Sequence, residues 1–168
     1  MIPVWIYYFL LIELIVVSYL DLRTKTIKNI WSIINLSFFL IFLFLYKEHY
    51  PFVLTSFVYS LSFLLVGFLL FLVKIMGAGD TKYLFSFFLV SPVQLHDEIF
   101  NRLLVFTTLC AFIFLIFNVL KNFKKLYLAI LTRDLVQLKS CFGTKFAFAP
   151  VILISWIWLG LEGGHFAF

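Results

Sequence analysis

Three carboxylates stand out in a chain with little charge elsewhere in its apolar runs. Of 168 residues, 64% are hydrophobic and only 12% charged, so an acidic group inside or beside an apolar run is a functional candidate by default. Glu13 lies in the middle of the first such run. Asp21 ends that run and is followed by Leu22-Arg23-Thr24-Lys25-Thr26-Ile27-Lys28-Asn29. Asp80 follows the turn Met76-Gly77-Ala78-Gly79 and precedes Thr81 and Lys82. Two carboxylates held close together cannot both ionise, so one keeps a proton while the other acts as a base. Such a pair can activate water against a peptide carbonyl. Gly77 and Gly79, having no side chains, leave room for an extended backbone to approach Asp80. Each aspartate also has a plainer reading. Asp80 in a Gly-rich turn can cap a helix N-terminus. Asp21 opposes the dipole of its own helix, which an ion pair with Arg23 or Lys25 would offset.

The elements that must position these groups are transmembrane helices. A soluble domain is about 45–50% apolar and about 25% charged, and no water-soluble fold of this length hides the excess here, which includes 24 Phe. The mean hydropathy is +1.12. Apolar runs extend from Ile2 to Leu20, Ile30 to Tyr46, Phe52 to Val73, Leu103 to Leu120 and Phe146 to Leu161. A further run from Asp80 to Leu95 is short at roughly 24 Å, and an even number of spans makes the loop charges consistent. The expectation is an all-α polytopic membrane protein of about six helices, forming one domain over residues 1–168. The first run lacks a basic flank and a small-residue cleavage site, so it reads as a retained helix.

Lysine and arginine set the orientation. Arg23, Lys25 and Lys28 follow the first helix, Lys74 and Lys82 flank the turn after the third, and Lys121, Lys124, Lys125, Arg133, Lys139 and Lys145 follow the fifth. The other loops balance Lys47 with Glu48, and Arg102 with Asp97 and Glu98. Both termini are therefore expected outside and the loops bearing Asp21 and Asp80 in the cytoplasm, in a multi-pass protein of the inner membrane. The net charge of +5 follows from this asymmetry. It calls for anionic lipid headgroups and not for nucleic acid.

The remaining polar residues say less. Cys110 lies within a helix and Cys141 in a basic loop, so no disulfide is expected. With no CxxC pair and no His cluster, there is no zinc ligand set and no cofactor is expected. His49, His96 and His165 read as unrelated residues at the membrane interface. The segment 121–145 interleaves apolar with basic residues and reads either as an amphipathic helix on the leaflet or as a solvated connector. Glu13, eight residues before Asp21, is expected to make a polar contact between helices.

Two runs together resemble a known family. Asp21 to Asn29, with Arg23, Ile27 and Asn29 in place, is similar to the first-aspartate motif of the type IV prepilin peptidases. Met76 to Lys82 resembles their GxGD motif, including the Lys two residues after the Asp. Phe146-Ala147-Phe148-Ala149-Pro150 is similar to the aromatic-small-Pro segment before the family's last helix. Lys28 departs from the usual Pro, and Ala149 from a frequent Gly. The resemblance implies that Asp21 and Asp80 are the catalytic pair, supported by Gly77, Gly79, Lys82, Arg23 and Asn29. It implies an aspartic endopeptidase that removes the basic leader of prepilin-like proteins of type IV pilus or secretion systems. The two cysteines form no paired-cysteine region, so the expected form is peptidase-only, without methyltransferase activity. The competing readings are a small proton- or cation-coupled transporter and a non-catalytic secretion-assembly subunit. Oligomeric state is open. Reporter fusions after Asn29 and within 121–145 are expected to report cytoplasm, and fusions at His49 or Asp97 the outside. Asp21 and Asp80 on opposite sides of the membrane would exclude a shared active site.

Overall fold

A chain in lipid must satisfy its own amides, which leaves helices as the available element for runs of this composition. In the computed structural model, which describes residues 2–72, 76–132, 147–162 and 166–167, a helix stands at each expected place. These are α1 (Val4–Thr24), α2 (Asn29–Leu45), α3 (Leu54–Leu72), α4 (Ala78–Val90), α5 (His96–Lys121) and α7 (Ala149–Leu161). A short α6 (Phe123–Leu131) follows α5. Two-residue strands, β1 (Ile2–Pro3) and β2 (Phe166–Ala167), pair in parallel. Among the described residues, α1, α3 and the run Val93–Lys121 are long and apolar enough to cross a bilayer. The apolar helices α2 and α7 are shorter, and α4, with 13 residues, is about 20 Å long.

Several boundaries differ from those expected, each for a local reason. α1 continues one turn past Asp21 and stops at Lys25, whose left-handed φ of 53° ends the helix. The Lys25 amide donates back to the Asp21 carbonyl at 2.7 Å, the hydrogen-bond geometry of an αL cap. α4 stops at Val90, short of Leu95, because Pro92 forces Ser91 out of helical geometry, and Ser91 is extended at φ −73°, ψ 141°. A 3₁₀ turn at Val93–Leu95 follows, and α5 begins at His96, well before Leu103. Asp97, Glu98 and Arg102 therefore belong to α5 and not to a loop. The first turn of a helix favours the two carboxylates, and Arg102 pairs with Glu98 and with Glu162 at the end of α7. His96 is not the interface residue expected. It is 2% exposed, its Nε2 bonds the Ser91 carbonyl at 3.1 Å, and its ring packs edge-on against Tyr59 and Phe88. Of the segment 121–145, the described part contains α6, which carries Lys124 and Lys125 beside exposed Phe123 and Tyr127. Residues 133–145, with Cys141, and His165 lie outside the described residues.

The helices pack in two groups. α7 lies between α1 and α5, while α4 lies between α2 and α3. Aromatic side chains join the groups. Trp5 meets Phe42 with ring centroids 5.0 Å apart, and Phe9 meets Phe38 at 4.2 Å, so α1 and α2 run antiparallel with rings in register. Trp156 of α7 stacks on Tyr7 and takes the edge of Phe87 of α4, and its indole N–H donates to the Tyr7 carbonyl at 3.2 Å. Tyr59 and Phe63 of α3 reach both Phe88 and Phe100.

Close approach in lipid needs small residues, because apolar side chains gain nothing by leaving lipid tails. Gly67 provides one on α3: a Cβ there would stand 2.6 Å from the Thr81 methyl of α4. Gly67→Leu is expected to force α3 from α4 and lower the unfolding temperature of the detergent-purified protein by several degrees, about 1–3 kcal/mol of overpacking. Leu65→Ile, on an exposed position of the same helix, is expected to leave the melt unchanged.

Candidate active site

Asp21 sits in the last turn of α1 and is 2% exposed. Its own helix disfavours it, because the C-terminal end of a helix carries partial negative charge. Another helix supplies the compensation. Asp21 Oδ2 accepts the backbone N–H of Ala149 at 3.1 Å, where α7 begins and its first amides lack partners within the helix. The Phe148 amide adds to this from the same turn. Pro150 lies in the first turn of α7, where a missing N–H costs nothing. Arg23 and Lys25 are exposed, and among the described residues no ion pair joins either to Asp21. The ion-pair reading of Asp21 is therefore replaced by a cap between helices.

Asp80 occupies the first turn of α4, half-buried. Its Oδ2 accepts the Gly77 N–H at 3.1 Å, so the capping geometry anticipated for the GAGD turn is present. This does not withdraw the carboxylate from chemistry, since an ionised carboxylate has about four lone-pair sites. Thr81 Oγ1 donates to the Gly77 carbonyl at 3.3 Å and closes the turn.

The connection between α1 and α2 links the two aspartates. A Cβ on Gly79 would lie 2.3 Å from the Ile27 carbonyl oxygen, so the room that glycine leaves beside Asp80 is filled by the chain's own 25–28 turn. Ile27 is buried there. Two residues on, Asn29 Oδ1 accepts from Lys82 Nζ at 3.5 Å, which brings together two residues singled out from separate motifs. The last turn of α1, the start of α2, the start of α4 and the start of α7 therefore meet at one end of the helices. Asp21 and Asp80 belong to that end.

The two helix N-termini there matter electrostatically. Each presents unpaired amides and partial positive charge, one toward Asp21 from α7 and one toward Asp80 from α4. A profile of the type IV leader peptidase family matches residues 8–120. The chain belongs to that family. Membership implies a peptidase acting on prepilin-like substrates. The match to the leader peptidases includes both aspartate runs and stops before α7, whose amide holds Asp21. No curated protein and no solved structure matches the chain.

Two partners were not singled out in the sequence as contacts of the motifs. The Ala149 amide had a signal in the aromatic-small-Pro run, but a backbone donor has no residue type to mark it. The Ile27 carbonyl likewise shows only once Gly79 is placed. Glu13, expected at a helix contact, is buried and faces Tyr83 of α4 and Asn35 of α2. Gly79→Ala is expected to displace the 25–28 turn and lower leader cleavage roughly tenfold or more, about 1.4 kcal/mol. Gly77→Ala, whose Cβ would stand 2.9 Å from Asp80 Oδ2, is expected to shift that carboxylate off the Gly77 N–H and to lower cleavage as well. Equal cleavage by Gly79→Ala and wild type would show that the turn can give way without consequence.

Proposed function

We propose that this leader peptidase is an aspartic endopeptidase in which Asp21 and Asp80 form one catalytic pair at the cytoplasmic face of the inner membrane. What carries the reading is the meeting of both aspartate motifs at one end of the helices, through Gly79 against Ile27 and Lys82 against Asn29. Loop charges support the orientation. The arrangement proposed is six spans with both termini outside, a single peptidase domain over residues 1–168, and basic turns facing anionic headgroups.

The chemistry follows from the pair. The two carboxyl groups share one proton. The ionised member takes a proton from a water molecule as that water attacks the scissile carbonyl, and the protonated member donates to the oxyanion that forms. Collapse of the tetrahedral intermediate breaks the C–N bond, and the departing amine takes a proton from the pair. The helix N-termini of α4 and α7 direct partial positive charge toward the aspartates and offset part of the cost of the one negative charge the pair carries. The substrate proposed is a prepilin-like protein cut between its basic leader and its hydrophobic stretch. With only two cysteines and no paired-cysteine region, the 168 residues are proposed to cleave without methylating the new N-terminus.

Asp21→Asn and Asp80→Asn are each expected to lower cleavage by about 10²–10⁴-fold while the protein still reaches the membrane. The double variant is expected to be no worse than the weaker single one, because residues that act as a unit are not additive. The pH profile is expected to be bell-shaped, with two apparent ionisations that belong to the pair. Near wild-type processing by either Asn variant would assign that aspartate to capping alone.

A further inference from the structure

The leader peptidase mechanism leaves one deeply buried carboxyl unused. Glu13 is 5% exposed and lies eight residues, about 12 Å, along α1 from Asp21. It continues the seam between α1 and α2. Trp5 pairs with Phe42 and Phe9 with Phe38, and one more turn along each helix the ladder reaches Glu13 and Asn35. Polar groups here replace the ring pair that the pattern would otherwise place in lipid-like surroundings. Asn35 is fully buried, and its Nδ2 donates to Ser86 Oγ of α4 at 3.5 Å. Ser86 Oγ in turn donates to the Tyr83 carbonyl at 2.9 Å. The Glu13 carboxyl faces the Tyr83 hydroxyl and the Asn35 side chain.

Donors and acceptors decide the state of this cluster. Both Glu13 oxygens, Asn35 Oδ1 and the Tyr83 hydroxyl are buried and, among the described residues, make no hydrogen bond of full geometry. Tyr83, Asn35 and Ser86 carry no positive charge, and a buried carboxylate without a cation is strongly disfavoured. An ionised Glu13 would also accept only, so the single Tyr83 O–H could serve the carboxylate or Asn35 Oδ1 but not both. A proton on Glu13 removes both difficulties. The carboxyl then accepts from the Tyr83 hydroxyl and donates to Asn35 Oδ1, and Asn35 passes the chain to Ser86.

The location gives this cluster a consequence. Asp21 belongs to the group α1–α7–α5 and Asp80 to the group α2–α4–α3. Between the aromatic contacts of Trp5 and Phe9 and the 25–28 turn at the aspartate end, Glu13 touches α2 and α4 together. We propose that Glu13 is a neutral positioning residue whose protonated carboxyl, hydrogen-bonded to Tyr83 and Asn35, ties the helix of Asp21 to the helix of Asp80 and sets the separation of the two aspartates. This rests on the reading that those two act as one pair.

The test uses the full chain in detergent with a prepilin bearing a basic leader. Gln keeps one donor and one acceptor at the same reach, so Glu13→Gln is expected to keep kcat within about threefold. Leu fills the volume but leaves Tyr83 and Asn35 unpaired. Glu13→Leu is expected to lower kcat roughly tenfold or more with KM within about twofold, because substrate contacts stay in place. The infrared difference spectrum between wild type and Glu13→Gln is expected to show the carbonyl stretch of a protonated carboxyl at neutral pH. Carboxylate bands instead, an equal loss in Gln and Leu, or a fully active Leu variant would each overturn the proposal. If Glu13→Leu does not accumulate, the spectrum and the Gln variant still decide. Activity retained by Asp21→Asn would remove the catalytic pair but leave the infrared band, so the two failures are distinguishable.

Discussion

Asp21 stands where its own helix repels it, and the structure of the aspartate end depends on the amide that compensates. A buried carboxylate at a helix C-terminus faces the negative end of that helix's dipole, and at 2% exposure water does little to screen it. The Ala149 N–H, 3.1 Å from Oδ2, turns the position into a cap for α7. The bond fixes the start of the last helix against the end of the first across 128 residues of chain. Its removal would leave the Ala149 amide unsatisfied and the buried carboxylate with one donor fewer, which is more costly than the loss of one ordinary hydrogen bond.

The second constraint is the absence of a hydrophobic drive between helices in lipid. Association has to come from shape and from polar groups. Gly67 lets Thr81 close on α3, and Gly160 leaves the space that the Tyr7 ring enters, where a Cβ would stand 2.3 Å from Cζ. Ring stacks of Trp156 with Tyr7, and of Phe63 with Phe88, fill what the glycines leave. Aromatic pairs of this kind are worth about 0.5–1.5 kcal/mol beyond the area they bury. The Glu13 cluster is the polar counterpart of these contacts, deeper than the aspartates and shared among α1, α2 and α4.

At the aspartate end the same small-residue logic serves the chemistry proposed for the site. Gly79 gives the Ile27 carbonyl its place, and Lys25 in left-handed geometry bends the chain so that Ile27 can reach it. Asp80 is held by the Gly77 amide at the N-cap of its own helix, while Asp21 is held by an amide at the start of another. The two carboxylates therefore differ in surroundings, one buried and one half-buried. Different surroundings are what separate the acid and base roles of paired carboxylates.

Helical class, the places of the helices and both aspartate motifs were legible in the sequence. Hydropathy over about 20 residues is a strong signal, and a Gly-rich turn before Asp80 marks a helix start wherever it occurs. Asp97, Glu98 and Arg102 misled the boundary of α5 because charge was read as loop, whereas a first helical turn welcomes carboxylates. His96 misled for a related reason: its burial depends on Tyr59 and Phe88, which come from two other helices. The partners of the motifs were decided only by the tertiary structure. Asp21 is held by a backbone amide and Gly79 abuts a backbone carbonyl, and every residue except proline carries both groups. Residue types therefore announced which side chains were unusual. Which main-chain atoms answer them depended on how α1, α4 and α7 converge.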